Sequence, residues 1–171
     1  VFQVESSFLS EQEMRENARN NIDWFRTCTK NSVNIGLENN NHLGTSAYDV
    51  VTEGFFISRI IDENNIYFLL DIAHAMISAH HFKIHYEDYL STLPMNALVQ
   101  LHICEPIIDN LIVLDAHEIP SEEMLEHVKK LLSQYHGIKY LTIEYYKDTN
   151  KLITVLKKLR SMIKEKYRTD A

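Results

Sequence analysis

Glycine and proline are scarce, 4 and 3 in 171 residues. That argues against a collagen-like or low-complexity chain and leaves no composition for a long flexible linker. Cysteine is nearly missing too. Cys28 and Cys104 stand far apart with no CxxC spacing, so neither a disulfide framework nor a thiolate zinc site is expected, and a reducing cytoplasm is the expected compartment. No apolar run reaches about 18 residues, the length a membrane span needs. Basic residues are outnumbered, 17 Lys and Arg against 24 Asp and Glu for a net charge of −7, and no basic stripe interleaves with aromatics. A nucleic-acid partner is therefore not expected. GxSxG, P-loop and GxGxxG sequences are absent. The opening VFQVESSF has neither Met nor a signal-peptide layout, and reads as the start of a fragment or a processed product.

What remains is an ordinary globular profile, 45% hydrophobic and 24% charged, enough for one packed domain. The pattern alternates strand and helix. Ser10 to Thr29 reads as a helix with a capping box, Ser10 and Glu13. VNIGLE (Val33 to Glu38) reads as a strand, and Tyr48 to Glu63 as a helix with apolar Val50, Val51, Phe55, Ile57, Ile60 and Ile61. IYFLLD (Ile66 to Asp71) is a nearly continuous apolar strand of the kind buried on both faces of a parallel sheet. A loop carrying DIAH follows, then a short helix from Tyr86 to Leu93 before Pro94, a strand over Ala97 to Ile103, and a short apolar run, Leu111 to Leu114, inside a connecting loop. Ser121 caps a helix to Tyr135, YLTIE (Tyr140 to Glu144) is another strand, and Asn150 to Lys166 closes the chain as an amphipathic helix. An extra strand over Val1 to Glu5 is a further expectation. Repeated βα units predict a parallel sheet, either an open doubly wound sheet or part of a (β/α)8 barrel, which usually needs about 250 residues.

Polar residues end these strands: Glu38, then Asp71 with His74, His102, and Glu144, while Asp115 and His117 follow the LIVL run. In parallel α/β folds that edge holds the active site, and a carboxylate ending an apolar strand is costly to bury unless paired or metal-bound. A set of carboxylates and imidazoles suits iron, manganese or zinc rather than magnesium or calcium. Seven donors exceed what one ion needs, and Glu38 is placed to bridge two. The structural alternatives are that Asp71 caps the following turn, Glu144 pairs with a basic residue, and His102 is a satisfied core histidine. His42, His85, His127 and His136 are expected at the surface, one of His80 and His81 near the site, and Tyr145 and Tyr146 in packing roles. Cys104 either contacts metal or is core.

LENNNHLGTSAYDVVTE, FLLDIAHAMISAH, YLSTLP, LVQLHI, LDAHEIP and TIEYYKD, in this order, resemble the multinuclear non-haem iron-dependent oxidative enzymes typified by the methanobactin-biosynthesis oxidase. The resemblance runs over about Val33 to Arg160. It implies the C-terminal portion of a TIM barrel related to xylose isomerase, with two or three irons and oxygen-dependent modification of a precursor peptide, typically at cysteine. It also implies a partner protein that presents the peptide. The ligands it implies are Glu38, Asp71, His74, His102, Asp115, His117 and Glu144. The chain departs from the family pattern in three places: further histidines from early strands have no counterpart, LHICEP lacks the usual glycine, and the late E-x-D has become Glu144-Tyr145-Tyr146. The rival readings are a manganese- or zinc-dependent isomerase or phosphodiesterase on the same barrel, and a non-catalytic, degenerate scaffold.

Overall fold

Ser10 starts α1 (Glu11–Cys28) with the expected capping box: its hydroxyl accepts from the Glu13 N–H and the Glu13 carboxylate accepts from the Ser10 N–H at 2.8 Å. The structure is a computed structural model that describes residues 9–109 and 112–169, with side chains described through residue 164. The strand expected over Val1 to Glu5 lies outside the described residues. The order continues β1 (Gly36–Glu38), α2 (Gly54–Asn64), β2 (Tyr67–Asp71), α3 (Ile72–Phe82), α4 (Tyr86–Thr92), β3 (Leu98–Ile103), β4 (Glu105–Ile108), β5 (Val113–Glu118), α5 (Glu122–Gln134), β6 (Tyr140–Ile143) and α6 (Thr149–Thr169).

β1, β2, β3 and β6 form a parallel sheet in that order, and β4 pairs antiparallel with β5 as a separate hairpin. Side chains alternate faces along a strand. Phe68 and Leu70 of β2 and Leu101 and Ile103 of β3 are fully buried and share one core with Ile57 and Ile61 of α2, Ala75 and Ala79 of α3, Tyr89 of α4, Leu125, Val128 and Leu131 of α5, and Leu159 of α6. The opposite face carries Glu38, Leu69, Gln100, His102 and Thr142, all partly exposed. β2 is therefore not buried on both faces as its apolar run implies; Leu69 takes the half-open side.

Three further expectations are corrected. The DIAH segment is not a loop but the first turn of α3, whose helical character is masked in sequence because Ile72, Ala73, Ala75, Ile77, Ser78 and Ala79 are all buried and leave little polar face. Of the apolar run before Asp115, Val113 and Leu114 belong to strand β5 rather than to a loop, while Leu111 lies outside the described residues. The helix expected from Tyr48 starts late: Ser46–Tyr48 is a single 3-10 turn, and α2 begins at Gly54. Phe55, expected on its apolar face, is instead exposed, while Ile57, Ile60 and Ile61 are buried.

Gly54 sets that start. A Cβ here would lie 1.8 Å from Thr92 Oγ1 and 3.0 Å from the Thr92 carbonyl carbon, so only glycine lets α2 meet the end of α4. Gly54→Ala is expected to destabilise the fold by about 1–3 kcal/mol, as overpacking does. A thermal melt by circular dichroism checks it; an unchanged melting temperature would show that α4 gives way freely.

Candidate metal centre

Each strand of the sheet delivers a donor to its C-terminal edge. Glu38 ends β1, Asp71 ends β2, His102 sits next to the end of β3 and Glu144 directly follows β6. Parallel register aligns them: Asp71 is opposite His102, which is opposite Thr142, two residues before Glu144. α3 adds His74 from its first turn, because Asp71 is also its N-cap and accepts the His74 N–H at 2.8 Å. The hairpin brings Asp115 and His117 over the same edge on β5.

The seven side chains meet. His102 Nδ1 lies 2.9 Å from Glu144 Oε1 and 3.2 Å from Glu38 Oε1. His74 Nδ1 is 3.7 Å from Glu38 Oε1, and its Nε2 is 3.2 Å from Asp115 Oδ2. His117 Nε2 is 3.4 Å from Asp115 Oδ2 and 3.3 Å from Glu144 Oε2. Glu38, Asp71 and His74 can offer donor atoms within 4.8 Å of one another, as can Asp71, His102 and Glu144, and also Cys104, His117 and Glu144. His117 has φ +44°, a left-handed conformation unusual for a non-glycine residue and one that strained functional positions adopt.

The charge balance suits a cation. Burial drives the Asp71 carboxyl up to about 6, with Glu38 and Glu144 adding to the rise against the opposing pull of His74. Burial works against a charge on His74, but the hydrogen bond to Asp115, the Asp71 carboxylate and the Asn39 carbonyl outweigh it and bring its pKa up to about 9. Burial also opposes the Asp115 charge, yet His74 and His117 hold its pKa below the usual range. Asp71 is 0% exposed, and its Oδ2 has no hydrogen-bond partner. An orphaned buried carboxylate oxygen costs on the order of 1–3 kcal/mol or more. A bound cation would satisfy it, so the donor set fits a metal.

Two neighbours that the sequence did not single out orient the candidate ligands. Asn39, fully buried, accepts the Asp71 N–H at 2.9 Å and donates to the Asp71 carbonyl at 3.0 Å, while its own carbonyl accepts from His74 Nδ1 at 2.9 Å. That bond leaves His74 Nε2 as the nitrogen that faces Asp115 in the cluster. Gln100 lies 3.1 Å from both His102 Nε2 and Thr142 Oγ1. The group facing both atoms is the amide NH2, which donates to Thr142 Oγ1 and to His102 Nε2; only with the amide turned over would its oxygen take the Nε2 proton and leave Nδ1 free. Their position one strand residue or one register step from a ligand is the signal that could have found them.

A family model described as RiPP precursor modification enzyme MbnB/TglH/ChrH matches residues 10–165. The chain belongs to this family. Among curated relatives, a UPF0276 protein of Caulobacter vibrioides (strain NA1000 / CB15N) is 27% identical over 84 residues, 49% of this chain and 30% of that protein, and the UPF0276 protein of strain ATCC 19089 / CIP 103742 / CB 15 matches to the same extent. The alignment thus spans under a third of the length of these relatives. In this family member no helix among the described residues is long and apolar enough to cross a membrane.

Several histidines and one tyrosine sit otherwise than expected. His42 is not a surface residue. It is 5% exposed, donates from Nε2 to Asp49 at 2.9 Å, accepts the Gly44 N–H at Nδ1, and stacks on His81 with centroids 3.2 Å apart and planes 10° apart. His42, Asp49 and His81 lie close enough to be a second metal cluster, but in-plane lone pairs of parallel rings do not converge on one ion, and Gly44 fixes the His42 tautomer with Nε2 protonated. The trio pins the loop after β1 to α3. Neither His80 nor His81 joins the central cluster. His127 is half-buried against the Tyr86 hydroxyl at 2.9 Å, whereas His85 and His136 are exposed as expected. Tyr145 packs inside, but Tyr146 is 77% exposed, its ring 5.9 Å from that of His117; adjacent residues on extended chain face opposite ways.

Two outcomes follow for this family member. His74 has a raised folded-state pKa, so its contribution to stability is complete below about 6.5 and disappears as pH rises to about 9, on the order of 3 kcal/mol over that window. Chelator-treated protein should melt progressively lower from pH 6.5 to 9, and His74→Gln should flatten that slope; an equal slope in both proteins would assign the effect elsewhere. Gln100→Leu should leave the fold intact yet weaken iron(II) binding about 10- to 100-fold, the usual effect of removing a partner behind a ligand. Competition against a chromogenic chelator measures it, and unaltered affinity would remove Gln100 from the site.

Proposed function

We propose that the chain carries the metal centre of an oxidative enzyme that uses oxygen to modify a precursor peptide, typically at cysteine. Two or three irons would be held by Glu38, Asp71, His74, His102, Asp115, His117 and Glu144. Membership of a family of RiPP precursor modification enzymes supports peptide modification in general. The observation that carries the metal is the orphaned Asp71 Oδ2 inside a ring of carboxylates and imidazoles.

Strand order supports reading the fold as the C-terminal portion of a (β/α)8 barrel. A doubly wound sheet reverses its order at a switch point, whereas β1, β2, β3 and β6 follow one another without reversal and their helices share a single core. The half-open face bearing Glu38, Gln100 and His102 then corresponds to the barrel interior, and the donors to the catalytic C-terminal face.

Bound iron would supply the oxygen-dependent redox capacity that protein side chains lack. The chain supplies the geometry. Glu38, between His74 and His102, is placed to bridge two ions. Asn39 and Gln100 hold imidazole orientations. The hairpin sets Asp115 and His117 against the sheet edge. Tyr146, exposed beside His117, lies where an incoming peptide would meet the site. A peptide-presenting partner protein and a cytoplasmic location belong to the same reading. With manganese or zinc the donors would instead serve an isomerase or phosphodiesterase by activating water, and a degenerate scaffold would bind no metal.

Elemental analysis of full-length protein purified without chelator should find stoichiometric iron, and the cognate peptide should change mass only under oxygen. Glu38→Gln, which keeps shape but removes the charge, should lower both iron content and turnover, by ten-fold or more in turnover if a bridging position is lost. Metal-free protein with an intact fold would overturn the reading, as would full iron and activity in Glu38→Gln.

A further inference from the structure

Cys104 is the single residue between the end of β3 at Ile103 and the start of β4 at Glu105, the point where the chain leaves the sheet for the hairpin. It is 0% exposed. A buried cysteine usually behaves as a small hydrophobe, and its neighbours would then be aliphatic. Here the thiol faces the polar cluster. Sγ lies 3.5 Å from Asp115 Oδ1, to which the S–H donates, and Sγ and one donor atom each of His117 and Glu144 all lie within 4.8 Å of one another. A second feature points to a ligand in the same place: Asp71 is wholly buried with Oδ2 unpartnered, and its donor atom groups with His102 and with the same Glu144.

We propose that Cys104 is an additional ligand of this centre, supplying a thiolate beside His117 and Glu144, so that the donor set is mixed nitrogen, oxygen and sulfur. The inference rests on the metal reading above but goes beyond its seven residues. On coordination the S–H bond gives way to a metal–sulfur bond. The proton passes to the Asp115 carboxylate that already accepts it and on to solvent, as metal binding to thiols requires. Sulfur also alters metal choice. Thiolate favours softer ions such as iron(II), zinc(II) and cobalt(II) over manganese(II) or magnesium(II), which prefer oxygen. The sequence rule against a thiolate zinc site rests on paired cysteines and does not reach a single sulfur completing a set of imidazoles and carboxylates.

Cobalt(II) titration of the metal-free full chain, followed by absorption spectroscopy, tests this. Cobalt in the centre gives visible ligand-field bands, and a thiolate ligand adds an intense near-ultraviolet sulfur-to-cobalt charge-transfer band. The expected result is both sets of bands in the native chain and in Cys28→Ser, with the charge-transfer band lost and the ligand-field bands kept in Cys104→Ala and Cys104→Ser. In the Cys28→Ser background Cys104 is the only thiol of the chain, so the band identifies it even if the Cys104 variants fail to fold. Ligand-field bands without charge transfer, or a band that survives loss of Cys104 or disappears with Cys28, would overturn the sulfur ligand and leave the metal centre standing. No cobalt bands at all would overturn the metal centre and the proposal with it.

Discussion

The buried carboxylate of Asp71 constrains everything around it. It ends the central strand β2, caps α3 through the His74 N–H, and through its backbone is locked to the Asn39 side chain at the end of β1. One oxygen is used by the helix and the other has no partner. Moving Asp71 would simultaneously uncap α3, turn His74 away from Glu38 and Asp115, and separate the ends of β1 and β2. Local folding and site assembly are therefore the same event. A residue whose first oxygen is required by the fold leaves its second at a fixed place and direction, which is the condition for a preorganised ligand.

The donors come from two pieces of structure with different stiffness. Glu38, Asp71, His102 and Glu144 stand on a hydrogen-bonded parallel sheet over a continuous apolar core. Asp115 and His117 stand on a two-stranded hairpin whose Ile107, Ile108, Val113 and Leu114 remain exposed. An isolated hairpin is marginal on its own, so this one depends on its attachments. These are His74 to Asp115, Glu105 to the Ser121 N–H at 2.9 Å, and Lys147 to the Ala116 carbonyl and the Glu118 carboxylate. Two of the three involve exposed or partly exposed charges of small individual worth. Ion pairs of the central cluster, His74 with Asp115 and His117 with Glu144, therefore act together with the packing of both hairpin strands on α3 to seat the hairpin.

Legibility in the sequence follows from how each feature is stabilised. β2 and β3 were readable because apolar runs announce sheet strands, and the caps of α1 and α5 because Ser10 and Ser121 act within three residues. α3 was hidden by its own burial, which erased the polar face that marks a helix. The hairpin was hidden because its residues are half-exposed on both sides and carry no alternation. Glu38, Asp71, His102 and Glu144 could be named from position, since a parallel sheet collects its C-terminal residues along one edge, whereas His74 on α3 and Asp115 and His117 on the hairpin were legible as polar residues that follow an apolar run. Asn39 and Gln100 lie within two residues of Glu38 and His102 in sequence, but their roles depend on partners set by lateral register between strands, which local pattern does not encode. His42 illustrates the opposite error: a histidine in an NNNHLG stretch looks solvated, and only the tertiary stack on His81 buries it.

Asn39 and Gln100 also bear on what kind of site this is. A cluster held only by ion pairs would need its histidines protonated and no particular ring orientation, since an imidazolium donates from both nitrogens. Here one nitrogen of His74 is committed to a neutral backbone carbonyl and one nitrogen of His102 to a neutral amide. The remaining nitrogen of each faces the carboxylates. That division, one nitrogen for orientation and one for the centre, is the arrangement metal sites use to fix a histidine ligand. Together with the orphaned oxygen of Asp71 and the strained backbone of His117, it means that the fold carries several local costs at one sheet edge. Bound cations at that edge would offset the carboxylate charge gathered there, the unpartnered oxygen of Asp71 included.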